Sequence, residues 1–222
     1  MFILSFETIS EYISVSLLED GILIDSLVCF KNFAHAETIL TSIELILVRN
    51  SIDYSDIDLF SLIVGPSSFI KIRVGLSVAY GLEFSSGKKV IGINLFEIYE
   101  NIVNINYNIE RFIIVLNAYQ DNFYIRVVDG ENSEDSFVNL DYIKNSPFKG
   151  ASFFCDSKSY NILKDISVND VFDISKYIDN LSAQSGIFVR KKIVDGLINL
   201  DDIMKPEPFY LFNPVFKKKV AA

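Results

Sequence analysis

The segment that decides the fold is Phe2–Val28, FILSFETISEYISVSLLEDGILIDSLV. Its apolar residues form three runs, which predict β-strands at Phe2–Phe6, Tyr12–Leu18 and Ile22–Val28. The last two runs are separated by Glu19-Asp20-Gly21, where glycine can take the positive φ that a tight hairpin turn requires. We therefore expect the chain to begin with one strand followed by a β-hairpin.

Helices and strands alternate after this three-stranded unit. Apolar residues at helical spacing predict an amphipathic helix over residues 34–49, and the β-rich run Leu59–Val64 predicts a strand. A second helix is expected from about residue 67 to 85, followed by a strand at Val90–Ile93 and a helix that Asn94 caps. The first half therefore has the order β-β-β-α-β-α.

The same order recurs in the second half of the chain. Strands are predicted at Phe112–Leu116, Phe123–Val128 and Ser136–Leu140, and Asp129-Gly130 supplies a second hairpin turn. The pattern indicates a duplicated α/β protein with mixed sheets, and the alternative is a coincidence of hairpin spacing. Further elements expected in this half are strands at Ser152–Cys155 and Val168–Phe172, a short helix near 157–164, and a long helix over Ser175–Val194.

The composition limits the classes of function open to the chain. Of the 222 residues, 50% are hydrophobic and 14% aromatic, so a large core can form. The net charge of −9 disfavours unaided binding to nucleic-acid phosphates. The mean hydropathy is +0.30, yet every apolar run is interrupted before the ~18 residues of a membrane helix. We expect a cytoplasmic protein, without membrane contact, whose excess apolar surface covers a partner.

Few residues are available for metal or nucleophilic chemistry. Cys29 and Cys155 form no CxxC motif and are expected to be reduced and buried. His35 is the single histidine, so a two-histidine metal site cannot form within one chain. No serine or cysteine stands in a recognisable nucleophile motif. The sequence therefore predicts no catalytic residue and no metal ligand.

Four motifs carry a resemblance to a known family. Residues 2–17, FILSFETISEYISVSL, are similar to a family opening of the form ILAIDTSTxxxSVAL, and residues 35–40, HAETIL, look like H-[ST]-x-x-L-L. Gly65–Gly75, GPSSFIKIRVG, looks like GPGSFTGLRIG, and Pro206–Leu211, PEPFYL, is similar to a P-x-P-x-Y-L ending. On these motifs the chain resembles the bacterial TsaB (YeaZ) family.

The resemblance implies a fold and a set of partners. The fold is a duplicated actin/Hsp70-like (ribonuclease H-like) one with two subdomains: residues 1–105, which carry the partner-binding helices, and residues 106–222, whose tail from about 205 returns to the first. The function is that of a non-catalytic scaffold and activator of a TsaD-like catalytic subunit. With a TsaE-like ATPase, this complex transfers threonylcarbamoyl to adenosine 37 of tRNAs that decode ANN codons.

The same resemblance implies no cofactor for the chain itself, because ATP and metal belong to the partner subunit. The chain would meet tRNA only through the complex, and a homodimer of the isolated chain is left open. A function of a different class is that of a stand-alone small-molecule kinase or carbamoyltransferase of the actin-like ATPase superfamily. Peptidase activity is a third option, which the single histidine disfavours.

A stand-alone kinase would need intact phosphate loops with paired acids. Here Glu7 replaces the aspartate of the family pattern, Ser67 replaces a glycine, and Ile70-Lys71 replaces a Thr-Gly pair. Glycines matter in such loops because the backbone must approach phosphate oxygens closely. The residues of this vestigial nucleotide loop are Glu7, Thr8, Ser10, Gly65, Ser67 and Ser68.

These loop residues also have a purely structural interpretation. The hydroxyls of Thr8 and Ser10 would satisfy the turn after the first strand. Ser67 or Ser68 would satisfy free N–H groups of the helix, with Pro66 in its first turn. Asn117 follows the equivalent strand of the second half, where a catalytic carboxylate would otherwise be expected. The sequence favours this interpretation over phosphate binding.

The helix that begins near Ser67 has two apolar sides. At about 100° per residue, Phe69, Ile72 and Leu76 fall on one side, and a second apolar row falls almost opposite. We expect the second row, with residues of the preceding helix, to bind the partner; the alternative is burial of both sides within one molecule. Arg73 is expected to clamp an anion or a partner carboxylate, or else to be solvated. The predicted interface residues are His35, Ile39, Ile43, Ile70, Arg73, Val74, Val78 and Leu82.

Overall fold

Two five-stranded sheets form the framework of the residues that the structure, a computed structural model, describes: 1–29, 36–145, 150–166, 170–178 and 180–212. The first sheet has the order β3-β2-β1-β4-β5 and consists of β1 (Phe2–Glu7), β2 (Ile13–Glu19), β3 (Ile22–Cys29), β4 (Leu59–Gly65) and β5 (Val90–Asn94). The second has the order β10-β9-β6-β7-β8 and consists of β6 (Arg111–Asn117), β7 (Asn122–Asp129), β8 (Asn132–Asn139), β9 (Ser152–Cys155) and β10 (Val171–Asp173).

The two sheets are built on one plan. In each, the first strand pairs antiparallel with the second and parallel with the fourth. This confirms the predicted duplicated α/β fold with mixed sheets. The two hairpin turns differ in detail: Asp20 and Gly21 both have positive φ, at 49° and 85°, as a type I′ turn requires, whereas Gly130 is the first of its two loop residues. The two Asp-Gly pairs are therefore not structurally equivalent.

Six α-helices connect and cover the sheets within the described ranges. Asn94 caps α3 as predicted, because its side chain accepts a hydrogen bond from Phe96 N at 3.0 Å and Glu97 completes a capping box. Residue 140 begins a short helix rather than ending a strand. The helices are α1 (Ala36–Asn50), α2 (Phe69–Ser86), α3 (Leu95–Asn106), α4 (Leu140–Lys144), α5 (Ser157–Leu163) and α6 (Leu181–Val194).

The prediction of a long helix over Ser175–Val194 is wrong at its N-terminal end. Ser175–Tyr177 forms a separate 3-10 turn, and α6 begins only at Leu181. Asn180 fixes that start, since its side-chain oxygen accepts hydrogen bonds from the backbone N–H groups of Ser182 and Ala183 at 3.0 and 3.2 Å. The predicted strand Val168–Phe172 corresponds to β10, and residues 168 and 169 lie outside the described residues.

Helix α6 belongs to the second half of the sequence but packs on the first sheet. Two serine pairs cross this interface, Ser16 with Ser182 at 2.7 Å and Ser61 with Ser185 at 2.8 Å between hydroxyl oxygens. A Cβ at residue 186, which is glycine, would lie 2.3 Å from a methyl carbon of Leu18, so only glycine fits without displacement. Hydroxyls and a glycine therefore allow close contact between helix and sheet.

The first sheet is enclosed by helices and by the end of the chain. Helices α1 and α2 also pack against it, and β1, β2 and β4 are buried along almost their whole length. The tail segment follows the end of β4, where Phe209 N donates to Val64 O at 3.0 Å. Among the described residues, no helix combines the length and apolarity needed to cross a membrane.

Candidate functional site: a central cleft and a helical groove

The loop between β1 and β2 is organised around the Glu7 carboxylate. Glu7 is fully buried, and its oxygens accept hydrogen bonds from Ile9 N at 2.8 Å, Ser10 N at 3.0 Å, the Ser10 hydroxyl at 2.8 Å and the Ser14 hydroxyl at 3.2 Å. Burial raises the pKa of Glu7 above its ordinary value of 4.5, although these hydrogen bonds act to lower it. Both carboxylate oxygens are therefore already bound by the chain's own loop.

The start of α2 holds the same loop from the other side. Thr8 Oγ1 donates to the carbonyl of Lys71 at 2.7 Å, and the Ser67 hydroxyl donates to the carbonyl of Ile9 at 2.9 Å. The Lys71 ammonium donates to the carbonyl of Ile9 at 3.3 Å and also to that of Ser10. The structure therefore brings Glu7, Thr8, Ser10 and Ser67 of the predicted loop together around Lys71.

Gly65 and Ser68 of the predicted loop have other surroundings. Gly65 has a φ of 127°, and a Cβ there would lie 2.5 Å from the carbonyl oxygen of Phe209, so glycine is required by the returning tail. Ser68 is the N-cap residue of α2, but its side chain makes no capping hydrogen bond. The prediction that Ser67 or Ser68 satisfies the free N–H groups of this helix is therefore wrong, because the Ser67 hydroxyl is directed to Ile9.

A cleft of about 420 Å³ lies between this loop and the second sheet. The contacts that cross it include an ion pair of Lys158, at the start of α5, with Glu11, and a hydrogen bond that Tyr124 OH donates to Ser67 O at 3.3 Å. We call this the central cleft, and its lining includes Ser10, Glu11, Tyr12, Ser67, Ser68, Lys71, Asn117, Tyr119, Tyr124, Asp156, Ser157, Lys158 and Ser175.

The sequence prediction missed Asp156, which organises the second side of the central cleft. Its carboxylate accepts hydrogen bonds from Ser159 N at 2.7 Å, which caps α5, and from Asn117 N at 2.9 Å. Burial raises the pKa of Asp156, and the hydrogen bonds act against that rise. A signal was available in the sequence, since an aspartate between a predicted strand and a predicted helix is a typical N-cap.

Burial corrects the predicted faces of α1 and α2. Ile39 and Ile43 are fully buried in the core, and Val78 and Leu82 are each only 4% exposed. The predicted interface needs side chains that a partner can reach, but these four are enclosed instead, because α1 and the first sheet pack against α2.

Three further predicted interface residues are described, and one is not. Ile70 is 74% exposed, whereas Val74 is partly buried against the core. Arg73 is exposed, and its guanidinium lies over the ring of Phe69, 3.6 Å from the ring centroid. His35 lies outside the described residues.

An apolar groove separates α1 from the second half of α2. Its volume is about 610 Å³, and Val78 and Leu82 line it together with small residues of α2. On the same two helices, Phe84 is 93% exposed and Val48 is 70% exposed, and the sequence prediction selected neither. We call this the helical groove, and its lining is Ala36, Leu40, Tyr54, Ser77, Val78, Gly81, Leu82, Ser85 and Ser86.

Comparison with known proteins identifies related sequences and folds. Residues 32–151 match the family model described as TsaD: tRNA N6-adenosine threonylcarbamoyltransferase. A tRNA N6-adenosine threonylcarbamoyltransferase of Erythrobacter litoralis is 34% identical over 64 residues, which are 29% of this chain and 19% of that protein. The chain thus spans about a fifth of the length of that relative.

Two further similarities extend over nearly the full length of the chain. The tRNA threonylcarbamoyladenosine biosynthesis protein TsaB of Buchnera aphidicola is 26% identical over 216 residues, which cover 88% of this chain and 95% of that protein. The crystal structure of YeaZ from Pseudomonas aeruginosa superimposes with a TM-score of 0.67 at 17% identity, over 95% of this chain and 99% of that one. The YeaZ structure therefore shares the fold of this chain. Because the family model covers more than half of the chain and the sequence similarity to TsaB extends over nearly all of it, the chain belongs to the TsaB (YeaZ) family.

Proposed function

We propose that this chain takes part in the biosynthesis of threonylcarbamoyladenosine in tRNA as a non-catalytic subunit that binds a TsaD-like catalytic subunit. Membership of the TsaB (YeaZ) family supports the process. The observation that carries the binding role is the helical groove together with Phe84, which directly precedes the groove residue Ser85 in α2 and which we take as the groove's rim. Phe84 is 93% exposed and belongs to neither hydrophobic core cluster of the described residues.

The chemistry of the helical groove fits a helix of the partner. Its walls are apolar, and Ser77, Gly81 and Ser85 recur at a spacing of four along α2. Small residues at this spacing form a strip without bulky side chains along one side of the helix. A partner helix can therefore approach the backbone of α2 closely there. An amphipathic helix would bury its apolar stripe here and cover Phe84.

The central cleft supports the non-catalytic part of the proposal. The carboxylate oxygens of Glu7 are bound by the chain itself, and the residue after β6 is Asn117, an amide. ATP and metal would then be bound by the TsaD-like subunit, and a TsaE-like ATPase would complete the complex. A chain with a net charge of −9 would contact tRNA through that assembly.

The binding role is tested by substitution at the exposed rim of the helical groove. We expect Phe84→Glu to fold normally and to weaken binding to the TsaD-like subunit of the same cell by about 30- to 100-fold, since a charge would be buried in an apolar interface. Ile105→Glu is the matched control, because Ile105 is 66% exposed on α3, away from the groove. Isothermal titration calorimetry measures both affinities. Equal affinity of the two variants would contradict the proposed surface.

The process is tested by depletion of the protein in its own cell. We expect threonylcarbamoyladenosine to disappear from bulk tRNA while other modified nucleosides remain, as measured by nucleoside mass spectrometry. Expression of the wild-type chain should restore it, and expression of Phe84→Glu should restore less. An unchanged amount of this nucleoside would overturn the proposal, and ATP turnover by the pure chain would favour a stand-alone kinase.

A further inference from the structure

The Lys71 ammonium lies among oxygen atoms at the edge of the central cleft. It donates to the carbonyl oxygens of Ile9, at 3.3 Å, and Ser10, and the Ile9 carbonyl also accepts from the Ser67 hydroxyl. Burial lowers the pKa of Lys71, but the negative charges of Glu7 and Glu11 act to raise it. Oxygen ligands and nearby negative charge are what a small hard cation requires.

The polarity of this loop is the reverse of that in a phosphate site. Phosphate-binding loops direct backbone N–H groups at the anion. Here the N–H groups of Ile9 and Ser10 are directed at the Glu7 carboxylate, whereas the carbonyls of the same two residues are directed at Lys71. The space beside these carbonyls therefore attracts a cation and repels a phosphate group.

We propose that the Ile9 and Ser10 carbonyls, beside Glu7 and Glu11, form a monovalent-cation site that Lys71 fills with its own tethered ammonium. The ammonium joins the β1–β2 loop to the start of α2, so this side of the central cleft keeps its shape without a diffusible ion or a nucleotide. When the side chain is removed, the site takes a free cation of the same chemistry, ammonium or a primary alkylammonium. The inference concerns the central cleft alone and does not depend on partner binding at the helical groove.

The test is chemical rescue of Lys71 variants by small amines. Lys71→Ala should lower the midpoint of thermal unfolding by about 4–8 °C, because two hydrogen bonds from a charged donor are lost. Methylammonium chloride should restore at least half of that loss. Tetramethylammonium chloride at the same concentration has no N–H donor and should restore much less, which separates a bound cation from an effect of ionic strength.

Two matched variants complete the experiment. Lys71→Met loses the charge but fills the space, so it should be destabilised without rescue. Lys158→Ala removes the other lysine of the central cleft, whose ammonium pairs with the exposed Glu11 carboxylate, and should show neither effect. If Lys71→Ala does not fold, Lys71→Ser, which is equally short and also leaves the position of the ammonium empty, carries the same comparison.

The proposal holds if methylammonium stabilises Lys71→Ala or Lys71→Ser more than it stabilises Lys71→Met. It is overturned if Lys71→Ala is as stable as the wild type. It is equally overturned if all variants respond alike to both salts. Failure of this test would leave the proposed function untouched, because complex formation and tRNA modification are measured separately.

Discussion

The central cleft and the helical groove differ in whether the groups on their surfaces already have partners within the chain. In the central cleft, Glu7, Ser67, Lys71 and Asp156 all bind atoms of the same chain. The helical groove is lined by apolar side chains and small residues, and Phe84 beside it in α2 is exposed. The polar groups of the central cleft have partners within the chain, whereas no described segment fills the helical groove.

This difference separates two kinds of side chain. The polar groups of the β1–β2 loop and the start of α2 bind one another, which stabilises the chain without a ligand. Exposed apolar residues on α1 and α2 are instead available to a partner, as the proposed function requires. We therefore expect substitutions in the central cleft to change stability and substitutions at the groove rim to change binding.

The largest expected effect distinguishes the floor of the helical groove from its rim. Val78→Glu should prevent folding, because Val78 is 4% exposed and an unpaired charge there costs several kcal/mol against a folding free energy of about 5–15 kcal/mol. Leu76→Asp, 5% exposed, should fail in the same way. Phe84→Glu should give the circular dichroism spectrum and melting curve of the wild type. A folded Val78→Glu variant would mean that α2 is more loosely enclosed than the structure indicates.

A smaller effect is expected where the tail closes over β4. Gly65→Ala should destabilise the chain by about 2–4 kcal/mol, since φ is 127° and the new Cβ would lie 2.5 Å from Phe209 O. Gly81→Ala is the matched control: nothing lies within 4 Å of its added Cβ, and alanine favours a helix by about 0.5–1 kcal/mol. Urea denaturation measures both changes. Equal midpoints for the two variants would show that the tail is not held at Gly65.

The general fold was predictable because the strands are short, strongly apolar and separated by glycine turns. The Asn94 cap was predictable for a similar reason, since its signal lies within four residues of sequence. The start of α6 was not, because Ser182, Ser185 and Gly186 form a polar stretch that becomes a buried surface only against the serines of the first sheet. Local patterns do not contain that information.

The exposed side of α2 and the role of Lys71 were missed for different reasons. Helix α2 has apolar residues around its whole circumference, so periodicity alone cannot show which of them α1 and β4 enclose. Lys71 was noticed only as a departure from a glycine-rich motif. Its contacts with Ile9 and Ser10 span more than 60 positions in sequence, and no local pattern predicts them.

The smallest effect concerns the pH dependence of stability through Glu7. Because burial raises the pKa of Glu7 in the folded chain, the folded state retains its proton to higher pH than the unfolded state, where the pKa is near 4.5. Stability from this group is therefore lost as pH rises from about 4.5 through the folded pKa. Glu7→Gln has no such titration, and its amide can still accept from Ile9 N and donate to the hydroxyls of Ser10 and Ser14. We expect the stability of Glu7→Gln relative to wild type to increase over that window and then level off, as measured by urea denaturation at a series of pH values.

Glu11→Gln is the control with the opposite sign, because the hydrogen bond from Lys158 lowers the pKa of Glu11. A difference between Glu7→Gln and wild type that stays constant with pH would mean that hydrogen bonding balances burial at Glu7.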